Sequence, residues 1–427
     1  MEFPKWQNFF VVLTMTAVLT SGTAFILQNS KTSTANSYKN ILAASTEAQD
    51  DTIPPPQQKL SNPPEIVKAV YVTGYSAGAK SYIKYLGELI KNTEINAVVV
   101  DIKGSDGYVS YASGAEEVKK YHLTDHAISD IRALVKSFHD KNIYVIGRIA
   151  VFEDPVYSKV RPEFAVYNKA KTTDAAKPVL WQDNHGLSWL DPASKDVWNY
   201  DISLAKDAFY NGFDEVNFDY VRFPSDGKTE DMAFPVWDEK NSKAETIKDF
   251  FHYLRTNLSD EKISVDLFGL TTVNSDDMGI GQVIENAFEN FDFVSPMVYP
   301  SHYANGFISY KNPAEHPYEV IKYSMDSALS KEKSFLKQKQ DLATAKSEAK
   351  GTSADLSMAL IPAPSVVPLA KFRPWIQDFN LGAIYTSDMV KQEIKATQDS
   401  LGSDFAGFMI WNPSNIYTQD AITKEPN

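Results

Sequence analysis

The sequence predicts an α/β fold, a (β/α)8 TIM barrel in which parallel strands alternate with helices. About eight apolar segments of strand length recur along the chain, separated by segments long enough for a helix. They are apolar almost throughout, which is typical of parallel strands that are covered on both faces. A doubly wound open sheet is the alternative. It favours a glycine-rich loop after the first strand, and Gly74 and Gly78 are too sparse for one.

The eight predicted strands cover residues 67–75, 97–102, 144–152, 215–223, 263–270, 291–299, 370–376 and 406–411. Pro374 is a weakness in the seventh, because proline cannot donate a hydrogen bond to a sheet. Helical patterns lie between the strands. One ends before Gly212, and we expect it to begin with Asp191 as N-cap and Pro192 as first residue. The charged run at 331–350 is typical of a solvated helical face or an insertion.

Two N-terminal segments are predicted to precede the barrel. Residues 9–27 form an apolar run, so residues 1–28 are predicted to be a signal peptide or a signal anchor. Residues 29–65 are rich in Ser, Thr, Asn, Gln and Pro, which predicts a disordered linker. The barrel domain is expected over residues 66–420. Either form of the leader predicts an exported protein, anchored on the outer face of the cell membrane or secreted.

Composition excludes several classes of function. The formal net charge of −13 argues against a nucleic-acid partner, which needs a basic face. The absence of cysteine excludes disulfides, zinc–thiolate sites and thiol nucleophiles. The sequence contains no Gly-x-Ser-x-Gly elbow and no P-loop, and only His302 among the histidines lies near a predicted strand end. We therefore expect neither a metal nor a cofactor.

The fourth predicted strand lies in the segment GFDEVNFDYVRFPS, residues 212–225, and carries charge within an apolar run. The two-residue period of a strand places Asn217 and Asp219 on one face. A buried carboxylate must be paired or must open into a polar cavity. Asp219 is therefore either a structural partner of Arg222 or part of a site at the carboxyl end of the barrel.

Acidic and aromatic residues collect at the predicted strand ends. Two carboxylates beside aromatic walls are the layout of glycoside hydrolysis, in which one protonates the leaving oxygen and the other attacks the sugar or activates water. Asp219 and Asp266 are among the carboxylates collected there, although Asp266 could also be structural. The predicted substrate-binding residues are Asp101, Arg148, Arg222, Tyr299, His302, Trp375, Gln377, Trp411 and Asn412. Asp101 could instead cap a turn, and Trp375 and Trp411 could belong to the core.

Several motifs together resemble the DUF4015 putative glycosyl hydrolase domain family, among them AVVVDIKGSDG, NFDYVRFPSDG, ISVDLFGLT and GFMIWNPSN. The resemblance covers about residues 66–415 and implies a glycoside-hydrolase-like barrel, usually exported or membrane-tethered in bacteria. By position in related barrel hydrolases it implies that Asp219 is the nucleophile and Asp266 the acid. Asp101 and Arg148 would then bind substrate or tune the carboxylates. Gly104 departs from the acidic residue that is more usual there.

Two functions remain open from the sequence. One is a glycoside hydrolase acting on a cell-envelope or extracellular polysaccharide. The other is a non-catalytic carbohydrate-binding barrel at the cell surface. Both have a polysaccharide or oligosaccharide as partner, and both reach the membrane only through the N-terminal segment.

Overall fold

The computed structural model describes residues 54–174, 177–350 and 369–424. Residues 1–28 and 29–53, which carry the predicted leader and most of the predicted linker, lie outside the described part. Gln57–Asn427 form one compact unit. Its main strands are β1 (Val67–Val72), β2 (Ala97–Lys103), β3 (Tyr144–Ala150), β4 (Glu215–Asp219), β5 (Ile263–Phe268), β6 (Phe293–Met297), β7 in two pieces (Lys371–Phe372 and Trp375–Gln377) and β8 (Gly407–Trp411).

These strands close into a parallel barrel, as the sequence predicts. The sheet contains nine strand segments, of which two are the pieces of β7, and each strand pairs in parallel with the next. Closure occurs where Val67 of β1 lies beside Gly407 of β8. Pro374 falls in the gap between the two pieces of β7, where no N–H is needed for the sheet.

Helices follow most of the strands and cover the barrel. They are α1 (Gly74–Gly78), α2 (Lys80–Asn92), α3 (Glu116–Tyr121), α4 (Ile131–His139), α5 (Tyr157–Val160), α6 (Lys195–Tyr210), α7 (Lys243–Asn257), α8 (Pro317–Lys350) and α9 (Ser387–Leu401). The prediction that Asp191 caps α6 is wrong. Ser194 is the N-cap and accepts from Val197 N, whereas Asp191 accepts from the backbone of Val236 and Trp237.

Several predicted strands extend too far at their carboxyl ends. Tyr75 lies in α1, while Phe152, Phe223 and Leu270 follow the ends of β3, β4 and β5. Phe152 and Phe223 are fully buried although they lie outside the strands. Apolar residues thus continue beyond the paired region and pack into the core outside the barrel. Hydrophobicity alone therefore does not mark where a strand ends.

The strands bury both faces. Outward-facing residues such as Val100, Val216 and Phe218 join the large core between barrel and helices. Inward-facing residues form a separate cluster inside the barrel, with Ala69 and Val99 among its members. The barrel is therefore filled with side chains, and a site can open only at one of its ends.

A buried ion pair lies inside the barrel towards the amino ends of the strands. Arg373 contacts both carboxylate oxygens of Glu215, and both residues are completely buried. Ser264 Oγ and Tyr144 Oη also donate to Glu215, at 2.5 and 3.2 Å. All the oxygens of this carboxylate are thereby hydrogen-bonded, as a buried charge requires.

The two described ends of the unit lie at this same end of the barrel. Gln57 N donates to Tyr210 O at 2.9 Å, and Leu60 N to Asp214 Oδ1 at 2.7 Å, just before β4. Ordered contacts thus occur within residues 57–65, a range that the sequence assigns to the linker. Near the other terminus, Thr423 pairs with Thr93, just before β2. Within the described ranges, no helix has the length and apolar character needed to cross a membrane.

Candidate active site

Three aspartates surround one arginine at the carboxyl ends of β2, β3, β4 and β5. Arg148 Nη1 donates to Asp101 Oδ1 at 2.6 Å, and Arg148 Nη2 donates to Asp219 Oδ2 at 2.6 Å. Arg148 Nε lies 3.2 Å from Asp219 Oδ2 and 4.0 Å from Asp266 Oδ2. The sequence predicted all four residues for the site, and the structure brings them together. The alternative pairing of Asp219 with Arg222 does not occur, because the partner of Asp219 is Arg148.

Those distances limit the spacing of the two predicted catalytic carboxylates. Because both oxygens lie close to Arg148 Nε, Asp219 Oδ2 and Asp266 Oδ2 are no more than about 7 Å apart, which is compatible with a carboxylate pair that acts on one glycosidic bond. Both side chains belong to the inward-facing set of adjacent strands. Their proximity follows directly from the two-residue period of β4 and β5.

Asp266 is held as an acid. Burial raises its pKa well above the usual value, and the negative charge of Asp219 raises it further, while Arg148 and Asn217 oppose the shift. Asn217 Nδ2 donates to Asp266 Oδ1 at 2.8 Å. Asp266 Oδ2 is sealed from solvent without a hydrogen-bond partner among the described residues, and the Trp375 side chain also opposes the rise in pKa. The sealed position favours the protonated, neutral form of Asp266.

Two tyrosines that the sequence analysis missed complete this cluster. Tyr71 Oη donates to Asp101 Oδ2, and the Arg148 guanidinium lies over the Tyr71 ring at 5.6 Å. Tyr220 adopts a left-handed backbone conformation with a φ of 54°, and its N–H donates to Asp219 Oδ1 at 2.6 Å. Such strain in a non-glycine residue is typical of functional sites. Tyr71 could have been found, because it shares the inward face of β1 with Ala69.

Glu153 is a further buried acid that the sequence analysis did not select. It follows β3, is 5% exposed, and pairs through its backbone with Trp189. Burial raises the pKa of Glu153 to about 8, and Asp183 and Asp219 add to the shift, whereas Arg222 opposes it. Its position directly after the predicted third strand is the signal that could have identified it.

The loop after Glu153 is held by a second buried ion cluster. Lys103 Nζ donates to Asp154 Oδ2 at 3.0 Å and to Asp201 Oδ1 at 2.9 Å, and all three side chains are fully buried. Asp154 Oδ1 also accepts from Tyr157 N at 2.7 Å. Lys103 is thus a salt-bridged structural residue.

Aromatic residues line one side of the mouth. Tyr299 lies 5.2 Å from Trp411 between ring centroids, and Phe379 lies 4.9 Å from Trp411. His302 is exposed at the rim, with its ring 5.2 Å from that of Tyr299. Burial and the charges of Asp266 and Asp219 raise the pKa of Tyr299 well above its usual value, so this wall borders the carboxylates. Such faces can pack against sugar rings.

Arg222 lies on the other side of the mouth. Its guanidinium stacks over Trp189 at 4.6 Å and over Phe268 at 4.8 Å. The side chain donates from Nη1 to Ser225 Oγ at 2.9 Å and to Phe223 O at 3.3 Å. Arg222 is thus fixed at the carboxyl ends of β4 and β5.

Three predicted substrate-binding residues are buried and contact other protein atoms. Trp375 is 2% exposed and packs edge-on against Tyr71 inside the barrel. Gln377 is completely buried, accepts from Ser301 Oγ at 2.8 Å and donates to Phe379 O at 2.9 Å. The Asn412 amide donates to Ile416 O at 2.6 Å and to Asp378 O. Protein atoms occupy these polar groups, so Gln377 and Asn412 hold neighbouring loops in place, and their contact with a saccharide stays a prediction.

Neither the placement of possible metal ligands among the described residues nor the cavity at the other end of the barrel indicates a different active site. Across the described ranges, no group of three or more histidine, aspartate and glutamate residues is arranged to hold a metal ion. A cavity of 1240 Å³ opens at the opposite end of the barrel, lined in part by Tyr144, Arg255 and Lys371. In TIM barrels the amino ends of the strands contribute to stability, and active sites lie at the carboxyl ends. We therefore place the active site at the aspartate cluster and not at this cavity.

The fold and this cluster together define a glycoside-hydrolase-like (β/α)8 barrel with a carboxylate site at its mouth. The chain belongs to the DUF4015 family, described as a putative glycosyl hydrolase domain, which matches residues 69–343 and 352–417. No functionally curated protein matches this sequence.

Several solved structures are similar to parts or most of this chain. A hypothetical protein from Ruminiclostridium thermocellum ATCC 27405 is 38% identical over 49% of this chain and 98% of its own, with a TM-score of 0.42. The PgaB (BpsB) glycoside hydrolase domain from Bordetella bronchiseptica is 13% identical over 84% of this chain and 100% of its own, with a TM-score of 0.51, and it supports the fold. An α-galactosidase from Thermus thermophilus is 12% identical over 86% of this chain and 61% of its own, with a TM-score of 0.45.

Proposed function

We propose that this protein is a glycoside hydrolase that cleaves a cell-envelope or extracellular polysaccharide, with Asp219 as nucleophile and Asp266 as general acid. The observation that carries the proposal is the contrast between neighbouring carboxyl groups. Asp219 accepts charge-assisted hydrogen bonds from Arg148, whereas burial and the charge of Asp219 raise the pKa of Asp266. A pair of carboxyl groups in such different environments is what glycoside hydrolysis requires.

The chemistry proceeds in two balanced steps. Asp219 attacks the anomeric carbon while Asp266 gives its proton to the departing glycosidic oxygen, so the bond between sugars breaks as a glycosyl–Asp219 ester forms. Asp266, now a carboxylate, takes a proton from water, which attacks the anomeric carbon and releases Asp219. Arg148 keeps Asp219 oriented. The apolar run at 9–27 supports the further proposal that the enzyme acts outside the cytoplasm.

The direct test measures new reducing ends released from a panel of envelope and extracellular polysaccharides. Asp219→Asn should lower turnover roughly 1,000-fold or more, because the amide cannot form the ester. Asp238→Asn is the matched control, since that aspartate is a surface residue paired with Lys240. Saccharide binding without release of reducing ends, unchanged in Asp219→Asn, would instead establish a carbohydrate-binding barrel.

A further inference from the structure

Arg222 differs in its charge partners from four other arginines that are buried or half-buried. Arg148, Arg161, Arg255 and Arg373 each form an ion pair with an aspartate or glutamate. Arg222 is 7% exposed, yet no carboxylate oxygen of the described residues lies within the 4.0 Å that defines such a pair. An unpaired charge in so buried a position is costly.

The unused hydrogen-bonding edge of Arg222 is available at the mouth of the barrel. Both of its hydrogen bonds to protein leave from Nη1. Nε and Nη2 donate to no described residue, and neither belongs to the polar atoms that are sealed from solvent without a partner. These two nitrogens form the edge of a guanidinium that binds a carboxylate through two parallel hydrogen bonds.

The groups that pack around Arg222 do not neutralise its positive charge. Trp189, Phe268 and Tyr220 pack around the guanidinium, at 4.6, 4.8 and 5.5 Å from its carbon to their ring centroids. The nearby acid Glu153 has a pKa of about 8, so it is mostly neutral at pH 7. The aromatic rings also limit the conformations of the guanidinium, which lowers the entropic cost of binding.

From this arrangement we propose that Arg222 binds a carboxylate on the saccharide, so that the substrate is an acidic polysaccharide containing uronic-acid-type residues. The inference rests on the proposed function, because the bound saccharide is a substrate only if the protein is a glycoside hydrolase. Arg222 lies three residues after Asp219 in the chain, and Phe268 lies two residues after Asp266. An acidic sugar held by Arg222 would thus lie beside the bond that the carboxylate pair cleaves.

The experiment titrates the full-length protein with oligosaccharides of glucuronate, galacturonate and mannuronate, each beside its carboxyl-reduced neutral counterpart. We expect at least one acidic member to bind roughly 10- to 100-fold more tightly than its counterpart, the effect of a charge-assisted hydrogen-bond pair. Arg222→Gln should abolish that preference, and Arg222→Lys should keep part of it. In a turnover assay the loss should appear in KM rather than in kcat.

The matched control is Arg161→Gln, because Arg161 also stacks on an aromatic ring, at 4.4 Å from Phe164, but is paired with Glu163. It should keep the preference. A measurement on the unmodified protein covers the case in which Arg222→Gln fails to fold: raising the NaCl concentration should weaken binding of the acidic oligosaccharide and leave the neutral one unchanged.

Equal affinity for acidic and reduced oligosaccharides, or no binding of any acidic member, would overturn the inference. The two proposals can fail separately. Hydrolysis of neutral saccharides alone would leave the glycosidase proposal standing and remove the acidic substrate. Arg222-dependent binding of acidic oligosaccharides without release of reducing ends would support the role of Arg222 and contradict the glycosidase proposal.

Discussion

Arg148 holds Asp219 with two of its guanidinium nitrogens, since Nη2 lies 2.6 Å and Nε 3.2 Å from Asp219 Oδ2. The remaining nitrogen, Nη1, holds Asp101 at 2.6 Å. One positive charge therefore serves at least two carboxylates on neighbouring strands. Arg148 is a positioning residue, and the local order of β2, β3 and β4 at the mouth depends on it.

Replacing Arg148 with methionine should lower the free energy of unfolding by about 3–5 kcal/mol at pH 7, because buried carboxylates lose their counter-charge. The loss should shrink at pH 4. Burial raises the pKa of Asp101 and Arg148 opposes that rise, so without the arginine the Asp101 carboxyl is protonated at a higher pH and no longer needs a counter-charge. Denaturant unfolding at both pH values measures this.

The control for that substitution is Arg161→Met, which breaks an ion pair with Glu163, whose side chain is 55% exposed. It should cost no more than about 1 kcal/mol. An equal loss of unfolding free energy in both variants would show that the Arg148 cluster stabilises the fold no more than an exposed ion pair does.

Asp266→Asn should lower turnover on saccharides with poor leaving groups by roughly 10²- to 10⁴-fold, because the amide cannot donate the proton. Aryl glycosides with nitrophenyl leaving groups need little protonation and should lose much less. Wild-type turnover should fall as the pH rises through the raised pKa of Asp266, since the acid must be protonated. Equal losses on both types of leaving group would assign the acid to another residue.

Glu153→Gln should stabilise the fold at pH 8 by up to about 4 kcal/mol and have little effect near pH 4. The pKa of Glu153 rises from 4.5 to about 8 on folding. Between these values the native state holds a proton that the unfolded state has released, so the wild type loses stability as the pH rises. Glutamine removes this loss. Thermal unfolding across pH 4–8 measures it, with Glu163→Gln as an exposed control that should show no such trend.

The barrel could be predicted because its strands are buried on both faces and are therefore continuously apolar. The inward positions of Asp219 and Asp266 followed from a two-residue period, and Arg148 was recognisable as a charge inside a core strand. The strand ends were less predictable, because buried residues such as Phe152 continue past the last paired residue.

The remaining parts of the site depend on loops. Glu153 pairs with Trp189 from a segment with no periodic pattern, and the backbone strain of Tyr220 has no signature in an apolar run. Gln377 and Asn412 stand at strand ends as a binding residue would. Only the three-dimensional contacts reveal that their amides hold the neighbouring loops.

Both described ends of the compact unit, near Gln57 and Lys424, lie at the amino ends of the strands, whereas the carboxylates lie at the opposite end. The described chain therefore enters and leaves the compact unit on the side away from the cleft. An affinity tag or a surface linkage joined directly at either of these two ends should leave the cleft unobstructed, so that a long polymer could thread across an immobilised enzyme.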